Sequence, residues 1–340
     1  MLNFDEQRFV RIQAGAVALA AEIDQIVTQA LDGGADRLVF LGTGGAGILM
    51  LPAAHLLQTR STFACHVLMP AEYLAEGSAQ IGPSTLVVMP SRSGTTSETL
   101  EAVAAAQSEG ATVLALTAHA DSPLAASADH TLVNFAEDDT SSESFYLQSL
   151  LVVLSVLKHK GDLTTTAYDE VVADLAKLPQ LLLDAKRAFE PRAAELAAEL
   201  KDEPWHIISG AGSTWPEAFY YGMCILEEMQ WIRTRPVHAS DFFHGTLELL
   251  EEDVSVILLK GEDIASRQLV ERVETFVPRY SKKLRVLDAG DVELPGISAA
   301  TRELVSPAVL ATLLERLSAH LEVLRDHPLT TRRYYRQFAY

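Results

Sequence analysis

The chain is poor in cysteine. Cys65 and Cys224 are the only two in 340 residues, too few for a disulfide framework or a four-cysteine zinc site. Such usage suits a reducing cytoplasm. Positive charge is also scarce: 27 Lys and Arg stand against 46 Asp and Glu, a formal net charge of −19. A nucleic-acid-binding surface needs clustered basic side chains, as does docking on an anionic membrane, so neither partner is expected. Long apolar runs are missing too. Residues 14–21 lead straight into Glu22 and Asp24, behind an acidic start at residues 1–7, which is not a signal-peptide pattern. Residues 145–157 are interrupted by Gln148, Ser149 and Ser155 and are too short to cross a bilayer; they read as a buried helix. Aromatics make up only 7%. What remains is 48% hydrophobic and 21% charged. That composition can bury a proper core, and at about 150 residues per domain the length suggests two domains.

The chain reads as two similar halves. A helical pattern over residues 4–31 ends at Gly33-Gly34. Short β-rich apolar runs follow at 37–41, 85–89, 112–116 and 131–135, the first three each leading through Gly, Ser or Thr into a helical stretch. Strands alternating with helices imply βαβ units and a parallel sheet. The second half repeats the grammar at 205–209, 254–259 and 284–287. Gly210-Ala211-Gly212-Ser213 follows its first run as Gly42-Thr43-Gly44-Gly45 follows the first run of the chain, 168 residues earlier. We read an internal duplication of one α/β unit. Helical segments fill the span from Phe145 to about Leu200, with breaks near Gly161 and Pro179, and a helix at 306–325 precedes a polar tail. The expected organisation is a helical segment 1–34, an α/β domain 35–160, a helical connector 161–200, a second α/β domain 201–326 and a tail 327–340.

In open parallel sheets, ligands bind beyond the carboxyl ends of the strands, so the loops there carry the chemistry. Gly42-Thr43-Gly44-Gly45-Ala46-Gly47 fits G-x-G-x-x-G. A dinucleotide site is one reading, but no acidic partner is clearly placed about 20 residues on; a tight strand-to-helix turn is the plainer one. Ser91-Arg92-Ser93-Gly94-Thr95-Thr96-Ser97-Glu98 is richer. Five hydroxyls and a glycine at a helix N-terminus make a cradle for an anion, and Arg92 adds a positive charge. No lysine follows in P-loop fashion, so a phosphate monoester suits it better than a nucleoside triphosphate. A capping box with Thr95 as N-cap and Glu98 three residues on accounts for part of the motif. The third cluster runs from Met223 to Gly245. Its helical spacing puts Glu227 or Glu228 beside an apolar face, where burial favours a carboxylate that can carry protons. His238 and His244, with Asp241 between them, fit no standard metal spacing and read either as structural histidines or as proton carriers.

These motifs resemble the SIS (sugar isomerase) family, whose members bind phosphosugars on doubly wound, flavodoxin-like domains, often in tandem. Ser91-Arg92-Ser93-Gly94-Thr95-Thr96 looks like the family's Ser-x-Ser-Gly-x-Thr phosphate loop. The stretch 224–245 and the ending His327-Pro328-Leu329-Thr330-Thr331-Arg332-Arg333-Tyr334 look most like the family's ketosamine-6-phosphate deglycases, and more distantly the chain is similar to the isomerase half of glucosamine-6-phosphate synthase. The resemblance implies two tandem domains, each a doubly wound parallel sheet with flanking helices. It implies phosphate contacts from Ser91, Arg92, Ser93, Thr96, Gly44 and Gly45, and further substrate contacts from Ser142, Glu143 and Asp241. In the family a helix Glu acts as base and a His 16 residues later as acid, which maps onto Glu228 and His244. A homodimer with shared sites is implied, since in the synthases that His comes from the neighbouring subunit. No metal or organic cofactor is implied. Departures include Ala46 where relatives often carry Ser, Asp241 where Glu is common, and the ending Gln337-Phe338-Ala339-Tyr340, which lacks the synthase's C-terminal Lys; no glutamine-hydrolysing domain is present. The implied activity is cleavage of a phosphorylated Amadori compound to glucose 6-phosphate and an amine. The alternatives are a phosphosugar aldose–ketose isomerase or amino-sugar deaminase, then a phosphosugar-sensing binding protein, then a dinucleotide oxidoreductase. Arg332 and Arg333 in the tail are candidates to meet a carboxylate of the amino-acid group, and the plainer reading is that both are solvated.

Overall fold

The computed structural model describes residues 1–335 and 337. The rest of the expected tail, including the end read as lacking a lysine, lies outside the described residues. The chain forms two compact units. One comprises Gln7–Pro179 with Gly296–Thr301; the other comprises Met1–Glu6, Gln180–Pro295 and the chain from Arg302 onward.

The first unit is built on five parallel strands: β1 (Arg37–Leu41), β2 (Ala64–Leu68), β3 (Thr85–Pro90), β4 (Thr112–Thr117) and β5 (His130–Val133). Their order is β2-β1-β3-β4-β5, the flavodoxin order. Leu38 of β1 lies between Cys65 of β2 and Leu86 of β3. The winding reverses between β1 and β3, so the crevice for a ligand opens at the carboxyl ends of those two strands. Every residue of β3 is buried. A strand covered on both faces has no room for alternation, which is why its sequence is a continuous apolar run. One face packs on the helix Ser97–Ser108: Val87, Met89, Val113 and Ala115 meet Ala102, Val103 and Ala106. Each fully buried aliphatic side chain of this kind contributes roughly 1.5–3 kcal/mol. The long apolar run becomes the helix Ser141–Lys160, buried from Ser141 through Leu157. Gly161 ends it in the left-handed conformation that favours glycine at a helix C-terminus.

The second unit has four parallel strands: β6 (Trp205–Gly210), β7 (Arg233–His238), β8 (Ser255–Lys260) and β9 (Lys283–Asp288). Their order, β7-β6-β8-β9, repeats that of the first unit without a fifth strand. Its core joins Ile207, Val256 and Leu258 to Val270 and Val273 of the helix Ile264–Phe276 and to Phe242. The strand-to-helix turns match closely. Gly44 and Gly212 have φ of +58° and +56°. A Cβ on Gly42 would lie 2.9 Å from the Gly47 Cα, and one on Gly210 would lie 2.7 Å from the Thr214 carbonyl oxygen. These glycines serve a tight turn; the plain reading of the first loop therefore accounts for them.

Several expectations need correction. The sequence pattern does not anticipate β2 and β7. Both are edge strands with mixed burial, and β7 carries Pro236, which an edge tolerates. The fourth run is shifted to His130–Val133. The N-terminal pattern is two helices, Glu6–Ala18 and Ala20–Asp32. The last helix starts earlier, at Ala299, and contains Pro307. Both cysteines are free and buried, and burial pushes each thiol up to about 12. Among the described residues, no helix is long and apolar enough to cross a membrane.

Candidate active site

In the first unit, the loop after β3 is tied down from within. The Ser91 N–H donates to the Leu116 carbonyl, and the buried Ser91 Oγ accepts from the Gly94 N–H at 3.1 Å. Gly94 has φ +62°, and a Cβ there would lie 2.4 Å from the Ser122 Oγ, so only glycine fits. The Ser93 Oγ accepts from the Thr95 hydroxyl at 3.0 Å. Thr96, not Thr95, is the N-cap of the helix Ser97–Ser108, and its side chain makes no capping bond. The capping-box expectation is thus wrong, for a physical reason: the Thr95 hydroxyl is turned back to Ser93. The first N–H groups of this helix keep their capacity for an anion. Arg92 pairs with Asp138 at 2.9 Å. Gly44 and Gly45 open the short helix Gly44–Ile48, whose N-cap Thr43 also makes no side-chain bond. Ser142 and Glu143 lie in the first turn of the helix Ser141–Lys160, and Glu143 is buried, where a carboxylate suits the positive end of a helix dipole.

In the second unit, the segment that carries the glutamates is unusual. Tyr221–Glu227 is π-helical, a local widening that recurs at functional sites. Gly222 lets it approach β7: a Cβ there would lie 2.7 Å from Pro236 Cγ. A short α-helical turn, Glu228–Gln230, follows, and then Trp231 in the left-handed region at φ +55°. Bulky residues rarely adopt that conformation.

The two glutamates have separate surroundings. Glu227 Oε1 accepts from the Thr234 hydroxyl at 2.6 Å and from its N–H at 3.2 Å. Glu228 Oε1 accepts from Arg332 Nε at 2.9 Å. Arg332 is nearly buried, with 12% of its side chain exposed, against 32% for Glu228. It also donates to the Leu329 and Thr331 carbonyls. Arg333 lies over the Trp231 ring, 3.8 Å from its centroid. The expectation of solvated arginines therefore fails for Arg332, because the tail folds back against the end of the π-helical segment; Arg333 remains exposed, with its guanidinium over the Trp231 ring. The Gln230 amide holds that tail through the His327 carbonyl at 2.7 Å, and the His327 ring meets the Trp231 ring edge-on at 4.4 Å. The apolar setting expected for the glutamate is likewise replaced by a guanidinium.

Glu228 lines an open cavity of about 670 Å³ with Glu227, Trp231, Arg233, Arg332 and Arg333 among its walls. His244 is not one of the lining residues. It is exposed, at the end of the short helix Ala239–Phe242, with its backbone N–H on the Asp241 carbonyl at 2.9 Å. Asp241 is also exposed. His238 plays a structural part. Its Nδ1 accepts from the Ser240 N–H at 3.1 Å, and burial lowers its pKa while Asp241 opposes that shift. Among the described residues, no three of His, Cys, Asp and Glu converge as metal ligands. Sequence reasoning missed Trp231 and the pairing of Arg332 with Glu228. The first has no glycine or asparagine to mark a left-handed residue, and the second stands 104 residues from its partner.

Two parallel units in flavodoxin order, with a hydroxyl-rich loop on one and a guanidinium-paired glutamate on the other, make a tandem doubly wound α/β scaffold. The SIS domain pattern matches residues 34–158. The fructosamine deglycase FrlB of Bacillus subtilis is 31% identical over 308 residues, covering 88% of this chain and 91% of its own length. The fructoselysine 6-phosphate deglycase of Escherichia coli K12 is 26% identical over 313 residues, covering 92% of this chain and 89% of its own. A candidate phosphosugar isomerase from Bacillus subtilis superposes with a TM-score of 0.86 at 29% identity, over 96% of this chain and 99% of its own. The chain belongs to the SIS domain family. It is similar to enzymes of that family that act as deglycases.

Proposed function

We propose that this chain is a cytoplasmic deglycase that cleaves a ketosamine 6-phosphate to glucose 6-phosphate and a free amine or amino acid. The observation that carries the reading is the setting of Glu228: a carboxylate held by Arg332 at the wall of an open cavity. Its similarity to the FrlB deglycase supports the same reaction class.

The chemistry follows from the substrate. The loop 91–96 takes the 6-phosphate, with Ser91, Arg92, Ser93 and Thr96 as its side chains and Gly44 and Gly45 beside them in the phosphate set. Ser142, Glu143 and Asp241 have supporting roles in binding. His244 donates a proton to open the sugar ring. Glu228 removes a proton from C1, which is acidified by the C2 carbonyl; the C2 oxygen gains a proton and an enaminol forms. Glu228 returns its proton to C2, so the C1–N bond becomes an iminium. Water adds to C1, the C1–N bond breaks, and the amine leaves with a proton. Nothing is oxidised or reduced overall.

The reading includes a homodimer in which a second copy supplies His244; its exposure, outside the lining of the Glu228 cavity, is compatible with that. A coupled assay for glucose 6-phosphate tests the reaction. Release from a fructosyl-amino-acid 6-phosphate, abolished in Glu228→Gln, is expected. Interconversion of fructose 6-phosphate without any release would move the function to an isomerase. Mixing Glu228→Gln with His244→Ala tests the sharing: each is inactive alone, and a symmetric dimer with shared sites should recover about a quarter of wild-type activity. No recovery after subunit exchange would place both groups in one copy.

A further inference from the structure

The cavity beside Glu228 is rich in cations for so acidic a chain. With a net charge of −19 overall, its walls carry Arg233, Arg332 and Arg333 against Glu227 and Glu228. Arg332 is committed to Glu228 and two carbonyls, and Glu227 to Thr234. Arg233 and Arg333 are exposed and in no ion pair among the described residues. Arg333 is nevertheless held, 3.8 Å from the centre of the Trp231 ring. The ring is braced by His327, and its backbone is kept in the left-handed region at φ +55°. Such strain in a bulky residue persists only where the surroundings impose it, and it gathers at functional sites. A guanidinium resting on an indole spends its face on the ring. Its in-plane N–H groups stay available, and that edge grips a carboxylate with two parallel hydrogen bonds.

The reaction proposed above, on which this inference rests, says which anion belongs here. Glu228 acts at C1, the carbon that bears the amine nitrogen. In an α-linked amino-acid adduct the carboxylate stands one carbon beyond that nitrogen. In an adduct of the lysine side chain it stands at the far end of a long methylene stem, and in a simple amine it is missing. We infer that this cavity reads the α-carboxylate of the amine, with Arg333 as the principal specificity-determining residue and Arg233 as the second. The preferred substrates are then 6-phosphorylated ketosamines of α-linked amino acids.

The test compares the 6-phosphates of fructosyl-glycine, ε-fructosyl-lysine and fructosyl-methylamine. KM and kcat are measured for wild type, Arg333→Gln and Arg333→Lys, and Kd by calorimetry on Glu228→Gln with and without Arg333→Gln. The glycine adduct should bind about tenfold to a hundredfold more tightly than the methylamine adduct, the range of a charge-assisted pair. Arg333→Gln should bring the glycine adduct down to the methylamine level, with the loss in KM rather than kcat, and Arg333→Lys should restore part of it. Equal binding of the glycine and methylamine adducts, preference for the lysine adduct, or a glycine preference that survives Arg333→Gln combined with Arg233→Gln would overturn the inference. The calorimetry keeps the two ideas apart. Binding with carboxylate preference but no glucose 6-phosphate release would sink the deglycase reading and leave the carboxylate reader standing.

Discussion

The loops after β3 and β8 occupy the same place in the two repeated sheets, and they have opposite electrostatic character. After β3 stand Ser91, Ser93, Thr95 and Thr96, and the N-cap Thr96 leaves the helix Ser97–Ser108 without a side-chain cap. After β8 stand Glu262 and Asp263. Asp263 caps the helix Ile264–Phe276 itself, accepting from the Ser266 N–H at 2.8 Å, and Glu262 pairs with Arg302 at 2.8 Å. A helix N-terminus attracts one anion. In the first unit that position is open to a ligand; in the second a carboxylate of the chain already fills it. Under the proposed function the repeat teaches a division of labour: the same turn and sheet order, one copy taking the phosphate, the other specialised in proton transfer through its π-helical segment and Glu228.

The largest expected effect separates the adjacent glutamates. Glu228→Gln should lower kcat about a thousandfold, within the range of a lost general base, with little change in KM. Glu227→Gln, which loosens only the Thr234 contact, should cost less than about tenfold. Comparable losses in both would dissolve the distinction drawn from their partners.

The second effect belongs to the second unit. His206 lies buried in β6, with Nδ1 2.8 Å from the Ser255 Oγ, and burial first, with Arg285 and Arg325 adding to it, lowers its pKa from 6.5 to about 4. The folded form keeps this ring neutral, whereas the unfolded chain takes up its proton below about 6.5. Stability is thus intact above that pH and falls as pH drops toward about 4, by about 3 kcal/mol in total. Denaturant titrations at pH 7 and 4.5 should show this slope, and His206→Asn should flatten it. An identical slope in the variant would assign the acid sensitivity elsewhere.

A third prediction converts one loop into the other. Thr96→Asp gives the helix Ser97–Ser108 the carboxylate cap that Asp263 supplies in the second unit. It should stabilise the protein by about 0.5–1 kcal/mol. It should also raise KM for a 6-phosphorylated substrate about tenfold to a hundredfold, by filling the anion position. Higher stability with an unaltered KM would show that the phosphate is held elsewhere.

Much of this is legible in the sequence because buried strands announce themselves. β3 and β8 are buried throughout, both faces being covered, and carry the apolar runs 86–89 and 256–259, and the glycine turns after β1 and β6 repeat at a fixed spacing. The edge strands β2 and β7 are hidden, because half-solvated strands have neither the apolar run nor a clean alternation. The phosphate-type loop can be read from its hydroxyls, but not its true N-cap, which depends on Thr95 turning to Ser93. Glu228 can be named, but not its environment. Arg332 reaches it through the fold of the tail, and no local pattern records that pairing.

The division of labour is tested most directly by calorimetric titration of glucose 6-phosphate into wild type, Thr96→Asp and Glu228→Gln. The account predicts that Glu228→Gln binds within about threefold of wild type while Thr96→Asp binds at least about tenfold more weakly. Full affinity in Thr96→Asp, or a loss confined to Glu228→Gln, would contradict it.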